Sequence, residues 1–204
     1  GIPRTATFSA LTGQDYEQMA AKSFDLLFPK HYYWHRGFDG LYGTIHRWVL
    51  KLGEWNPSLT EKDCFLLVAS LFGIRLPGVE SLYDMERGYS DEFFKETVYN
   101  ETRRALAAIG DPEKTVFWVS ASSREPHGGD AMTARDLKWI LQASQDAGAT
   151  RFVFHPEPAI NAPAWHVLSR MCGNPWRQET SNYWPEDTWR EDVDGYGVNF
   201  RKAQ

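Results

Sequence analysis

The sequence predicts an α/β fold in which strands and helices alternate and the strands form a parallel sheet. The clearest evidence is the segment from Thr115 to Met171, where a β-rich apolar run, a helix, a second apolar run and a second helix follow one another. Short connections separate these elements, and such alternation produces parallel strands joined by right-handed crossovers. In addition, two apolar runs, which begin at Phe24 and Arg151, end in polar and aromatic residues. A buried strand requires only its apolar residues, so these functional side chains need another explanation.

The C-terminal elements follow from local patterns. Thr115–Ala121 reads Thr-Val-Phe-Trp-Val-Ser-Ala, and its β-branched and aromatic residues predict a buried strand. Thr133 and Asp136 have the spacing of a capping box and predict the start of a helix. Arg151–His155 is the next predicted strand, and the last helix is expected from about Ala164 to Met171.

The N-terminal half repeats the alternation less regularly. Strands are expected at 5–11, 24–28 and 74–76, and helices at 16–23, 43–55, 59–72 and 91–109. A complete eight-stranded barrel takes roughly 250 residues, and this chain has 204. We therefore expect either the C-terminal portion of a TIM-like barrel or a smaller α/β domain. Residues 1–173 would form this barrel-like domain, and residues 174–204 an irregular Trp-rich segment that wraps it.

The composition argues against several classes of function. The net charge is −5 and no basic cluster is present, which disfavours nucleic-acid binding. No apolar stretch approaches the ~18 residues of a membrane span. No phosphate loop, dinucleotide fingerprint or zinc ribbon is present, so no cofactor is predicted. The nine Trp residues are either structural or suited to stacking on sugar rings. The start on Gly-Ile-Pro-Arg without Met suggests a fragment or a processed product.

Two groups of motifs carry a family resemblance. Residues 13–16 read Gly-Gln-Asp-Tyr, and after a short helix residues 24–33 read Phe-Asp-Leu-Leu-Phe-Pro-Lys-His-Tyr-Tyr. Later, Met-Thr at 132–133 and Ala-Gly-Ala at 147–149 lead to the strand at 151–155. These motifs resemble those of bacterial glycoside hydrolases with TIM-barrel domains, over most of the chain. The resemblance implies a barrel fold and a carbohydrate-related site, with the first strands of the barrel absent here.

Carboxyl groups are the expected catalytic groups, because glycoside hydrolysis typically uses two of them, ~5–5.5 Å apart for retention and ~6.5–9.5 Å apart for inversion. Parallel α/β folds bind ligands past the C-terminal ends of their strands. Glu125 follows the Thr115–Ala121 strand, Asp39 lies in a cluster of functional side chains bracketed by glycines, and Glu80 follows the predicted 74–76 strand. Each also has a structural interpretation, as a loop acid, a turn residue or a helix-terminal acid.

A second set of residues is predicted to bind the substrate by hydrogen bonds or by stacking. They follow the same strands or lie on the last helix, and they are His31, Tyr33, Trp34, His35, Arg36, His127, His155, Glu157 and Trp165. His31, Tyr33 and His35 alternate along a strand and are therefore expected on one face.

Two other functions remain open at this level. One is a non-catalytic carbohydrate-binding barrel remnant, because the short chain leaves the acid pair incomplete. The other is a metal-dependent hydrolase or isomerase that uses the histidines, although no specific metal motif is present and no metal residue is assigned. The predicted partners are an oligosaccharide or glycoside, together with a second chain or the missing N-terminal half that covers the exposed sheet edge.

Overall fold

The computed structural model describes residues 6–22, 24–33, 40–86, 89–120, 133–155 and 160–172. Within these ranges the fold is α/β, with a three-stranded parallel sheet. The strands are β1 (Lys30–His31), β2 (Phe117–Ser120) and β3 (Phe152–His155). The α-helices are α1 (Ser9–Thr12), α2 (Tyr16–Lys22), α3 (Leu41–Trp55), α4 (Glu61–Phe72), α5 (Leu82–Glu86), α6 (Asp91–Phe93), α7 (Tyr99–Ile109), α8 (Ala134–Asp146) and α9 (Ala162–Met171).

The sheet has β2 at its centre, and β2 pairs in parallel with both neighbours. His31 of β1 lies opposite Val119, which in turn lies opposite Phe154 of β3. Ser120 pairs with His155. The C-terminal ends of the three strands are therefore level to within about one residue, as parallel pairing in register requires. The predicted parallel arrangement is confirmed for these strands.

The first strand is shorter and later than predicted. Instead of a strand at 24–28, the chain makes an isolated parallel bridge between Leu27 and Thr115, and β1 follows at Lys30–His31. Pro29 separates the two: its carbonyl accepts from the Trp118 N–H at 2.9 Å, but proline has no N–H to return to the ladder. The strand is interrupted for this reason.

The strand predicted at 5–11 is wrong. Its residues form a short 3₁₀ turn, Ala6–Phe8, and then α1. The N–H of Thr7 donates 2.8 Å to a carboxylate oxygen of Glu101, so it is bound to a side chain of α7. The apolar Phe8 still becomes part of the core, where its ring meets that of Phe72 edge-on.

The strand predicted at 74–76 is also wrong. Gly73 ends α4 with φ 61°, a left-handed conformation that glycine adopts without strain. The N–H of Ile74 then bonds back to the Ala69 carbonyl at 2.9 Å, and the Thr97 hydroxyl donates to the Arg75 carbonyl at 2.5 Å. These bonds fix the segment as a helix exit.

The longer helices are confirmed, with boundaries shifted by a few residues. The capping box predicted at Thr133 is present, because its hydroxyl accepts from the Asp136 N–H while the Asp136 carboxylate accepts from the Thr133 N–H. The predicted helix 91–109 is continuous, with a π-helical turn at Phe94–Val98 between α6 and α7. No helix within the described ranges combines the length and apolar composition that a bilayer crossing requires.

One face of the sheet carries the main core. Phe117 and Val119 of β2 are fully buried, whereas Trp118 and Ser120, which point to the other face, are half-buried. The buried face meets α2, α7 and α8. The predicted wrapping segment, residues 174–204, lies outside the described residues.

A buried carboxylate ties the N-terminal turn to α7. Glu101 is 4% exposed and accepts from both the N–H and the hydroxyl of Thr7. Arg104 donates to the Thr7 hydroxyl oxygen at 2.8 Å and to the Gly73 carbonyl at 2.7 Å. Three parts of the chain are thereby joined: the N-terminal turn, α7 and, through Gly73 and Phe72, the end of α4.

We predict that Thr7→Val lowers the free energy of unfolding by ~1–3 kcal/mol, because the buried carboxylate keeps its charge but loses a hydroxyl donor. Valine has nearly the shape of threonine, so packing changes little. Urea unfolding monitored by circular dichroism measures the effect. Thr150→Val, the same change at an exposed position, is the control. Equal stabilities of the two variants would contradict the role given to Thr7.

Candidate functional site

The candidate residues cluster in three segments that follow the strands in sequence. Residues 34–39 come shortly after β1, residues 121–132 after β2, and residues 156–159 after β3. The candidates Trp34, His35, Arg36, Asp39, Glu125, His127 and Glu157 lie in these segments, outside the described residues. The backbone of His155 ends β3, but its side chain also lies outside the described part. Their mutual distances therefore stay predictions.

The ends of the first segment are close together. The N–H of Leu41 donates to the Tyr32 carbonyl at 2.8 Å, and the N–H of Tyr42 donates to the Tyr33 carbonyl at 3.0 Å. The first helical residues of α3 thus bind the carbonyls just past β1. The chain leaves β1 and returns at Gly40 to the same place, at the C-terminal edge of the sheet.

His31 and Tyr33 form a buried pair beneath this edge. They are 2% and 1% exposed, and the Tyr33 hydroxyl lies 3.1 Å from Nδ1 of His31. The His31 ring also meets the Phe117 ring edge-on, with centroids 4.6 Å apart. The Tyr33 carbonyl accepts from the Tyr89 hydroxyl at 3.3 Å, which holds the backbone in place.

Burial sets the charge of both members of this pair. Desolvation lowers the pKa of His31 to about 3, so its imidazole is neutral near pH 7. Burial, and next the negative charge of Glu101, raise the pKa of Tyr33 well above its ordinary value. A neutral phenol and a neutral imidazole therefore face each other. Neither presents a ring face to solvent, so the stacking role predicted for Tyr33 has no exposed surface here.

Glu101 is a polar residue that the sequence reasoning missed. It lies on α7. Burial has the larger effect on the pKa values of Tyr33 and Tyr16, and the negative charge of Glu101 raises both pKa values further. The sequence pattern predicted functional acids just past the ends of strands. One sequence signal of its burial was available. Glu101 lies on the apolar face of the helix, three residues after Val98 and four before Ala105, and both of these residues are buried.

Glu80 is the one predicted catalytic acid in the described part of the chain. Its side chain is 67% exposed, and its Oε1 accepts from Nζ of Lys62 at 2.8 Å. The N–H of Glu80 donates to Asp84 at 3.1 Å, and Asp84 also accepts from the Ser81 hydroxyl at the start of α5. An exposed ion pair of this kind contributes little to stability, and these contacts agree with a helix-terminal role.

Glu80 lies at the rim of a cleft of about 550 Å³ between α4 and the segment that follows it. Apolar groups form much of its lining, with charged groups at the edge. The lining residues are Lys62, Phe65, Leu66, Ala69, Ile74, Arg75, Leu76, Pro77, Gly78, Val79, Glu80 and Asp84. Of the predicted site residues that the structure describes, Glu80 alone lines it. Asp84 also lines the cleft, and its carboxylate accepts from the Glu80 N–H and the Ser81 hydroxyl.

Trp165 is the exposed aromatic among the described candidates. It lies in the first turn of α9, after the N-cap Asn161, whose side chain accepts from the Ala164 N–H at 2.9 Å. The side chain is 43% exposed, which leaves indole surface for a ligand. Within the described ranges, no three His, Cys, Asp or Glu side chains are placed to hold a metal ion.

We predict that His31 makes stability depend on pH. Its folded pKa of about 3 lies below the unfolded value of ~6.5, so the unfolded state binds a proton that the folded state does not. Stability is therefore lost as the pH falls from ~6.5 towards ~3, by up to about 1.4 kcal/mol per pH unit. Urea unfolding between these pH values should show that the free energy of unfolding depends less steeply on pH in His31→Gln than in the natural protein.

Phe117→Leu is the matched control for this measurement, because it disturbs the same contact without removing a titratable group. It should lower stability at every pH and keep the slope of the natural protein. If the free energy of unfolding depends on pH equally steeply in His31→Gln and Phe117→Leu, the buried neutral imidazole is not the cause of the pH dependence.

No family model matches the chain, and neither curated proteins nor solved structures show a significant similarity to it. The resemblance to TIM-barrel glycoside hydrolases therefore rests on the sequence motifs alone and stays a prediction.

Proposed function

We propose that this protein is carbohydrate-active and cleaves glycosidic bonds with two carboxyl groups at the C-terminal edge of its parallel sheet. The observation that carries the proposal is the register of the three strands, whose C-terminal ends are level. Segments that follow such strands share one edge, and parallel α/β folds bind their ligands there.

The spacing of strands supports a carboxyl pair. Neighbouring strands in a sheet lie about 4.8 Å apart, and two strands with one strand between them lie about 10 Å apart. Paired carboxyls require ~5–5.5 Å or ~6.5–9.5 Å. Asp39 comes just before Gly40, where the chain has returned to the end of β1, and Glu125 follows the adjacent β2. Acids that stay close to the ends of adjacent strands would have a separation near the one that glycoside hydrolysis uses, which supports Asp39 and Glu125 as the proposed pair.

The sheet edges support a barrel-like assembly. In the described part of the chain, β1 and β3 each pair on one side only. Unpaired strand edges invite pairing, and closure into a barrel removes them. We propose that further strands, from a longer chain or from a second chain, complete a TIM-like barrel on these edges.

Glu125→Gln tests the catalytic assignment. The amide keeps the size of the side chain but can neither attack nor transfer a proton, so turnover should fall by at least ~100-fold, the lower range for a general acid or base. Oligosaccharide affinity should change little. Reducing-end release over an oligosaccharide panel measures turnover, and isothermal titration calorimetry measures binding.

Glu92→Gln is the control for this substitution, because it makes the same change at an exposed position on α6. Retained turnover in Glu125→Gln would overturn the assignment of Glu125. Binding of oligosaccharides by the natural protein without any release of reducing ends would identify a non-catalytic binding module. Bound metal together with activity lost to a chelator would instead identify the metal-dependent alternative.

Trp165→Ala should weaken oligosaccharide affinity by ~2–12-fold, which corresponds to the ~0.5–1.5 kcal/mol of an aromatic stacking contact. Calorimetric titration of both proteins measures the ratio. Trp55→Ala removes another exposed indole, at the end of α3, and should leave the affinity unchanged. An equal loss in both variants would show that Trp165 makes no specific contact.

A further inference from the structure

His31 has one ring nitrogen without a hydrogen-bond partner. Nδ1 lies 3.1 Å from the Tyr33 hydroxyl, but Nε2 is buried and no group in the described ranges is within bonding distance of it. A buried polar group left unpaired costs ~1–3 kcal/mol, and folded proteins rarely leave one. Such an atom usually marks a bound water, a ligand or a functional site.

The direction of the Tyr33–His31 bond decides what Nε2 carries. A phenol hydroxyl is the better donor of the two groups, and an imidazole nitrogen is a much better acceptor than a phenol oxygen. The nearby charge of Glu101 further disfavours loss of the Tyr33 proton. With the hydroxyl donating to Nδ1, a neutral ring must carry its proton on Nε2.

Among the described residues, the surroundings of the ring supply no acceptor for Nε2. Phe117 of β2 covers one side edge-on, and Tyr33, just past β1, contacts the ring edge-on as well. The charged and titratable groups that act on this cluster are Tyr16 of α2 and Glu101 of α7, and Glu101 is engaged by Thr7. The position of His31 at the C-terminal end of β1 places the unpaired atom near the edge where the predicted ligand segments begin.

We propose that Tyr33 fixes His31 as the Nε2–H tautomer and that this Nε2–H donates to a hydroxyl oxygen that no residue of the described ranges provides. The ligand chemistry is a single neutral oxygen acceptor, supplied by a water molecule or by a sugar hydroxyl. A neutral donor of this kind binds a hydroxyl without attracting a charged group. The tautomer and its occupant are independent of whether the protein hydrolyses glycosides.

Nuclear magnetic resonance of the ¹⁵N-labelled natural protein at pH 7 tests the proposal without any substitution. Long-range ¹H–¹⁵N correlation identifies the protonated ring nitrogen, and nuclear Overhauser contacts to Phe117 assign the His31 ring. We expect Nε2 protonated and Nδ1 unprotonated. Tyr33→Phe removes only the hydroxyl and should convert the ring to a mixture of tautomers, whereas Tyr83→Phe, which removes an exposed hydroxyl, should not.

The same experiment identifies the source of the oxygen. An Overhauser contact from Nε2–H to water in the free protein, retained when oligosaccharide is added, assigns the site to water. Replacement of that contact by one to a sugar proton assigns it to a sugar hydroxyl, and both results support the proposal. An Nδ1–H tautomer, or an Nε2–H with contacts to neither, would overturn it. Absence of sugar binding would count against the proposed function alone, since the water contact is measured without sugar.

Discussion

Parallel pairing of β2 with β1 and β3 is the constraint on which the architecture and the proposed site depend. Because the three strands run in one direction and end level, the segments that follow them begin at one edge. The hydrogen bonds from the start of α3 to the carbonyls past β1 return the chain to that edge. An antiparallel partner for β2 would have sent one of these segments to the opposite end of the sheet.

Beneath the edge lies a polar cluster that the helices and β1 build together. Tyr33 and His31 come from the β1 segment, Tyr16 from α2 and Glu101 from α7. Burial keeps the imidazole neutral and the phenols protonated, so the charge of the cluster resides on Glu101. The cluster stabilises the position of β1 and supports the edge from below, and Nε2 of His31 is the atom of the cluster for which we propose a contact with water or a sugar hydroxyl.

The sequence predicted the α/β class, the parallel arrangement and the longer helices, because apolar periodicity and capping patterns are local signals. It failed at 5–11 and 74–76, where apolar residues are buried without strand pairing: Thr7 bonds to a side chain of α7, and Gly73 starts a helix exit. The burial of His31 and Tyr33 was missed because their positions after apolar residues looked like a strand tip. The role of Glu101 was missed because its polar partners, Thr7 and Tyr33, are distant in sequence, and the apolar face on which it lies predicts burial alone.

The distance between the carboxyl carbons of Asp39 and Glu125 decides whether the two groups can act together on one glycosidic bond. A crystal structure of the protein with a bound oligosaccharide would measure it. We expect a separation of ~5–10 Å, at the C-terminal edge of the sheet and on either side of the bound sugar. Carboxyl groups more than ~15 Å apart, or on opposite sides of the sheet, could not act on one glycosidic bond and would contradict it.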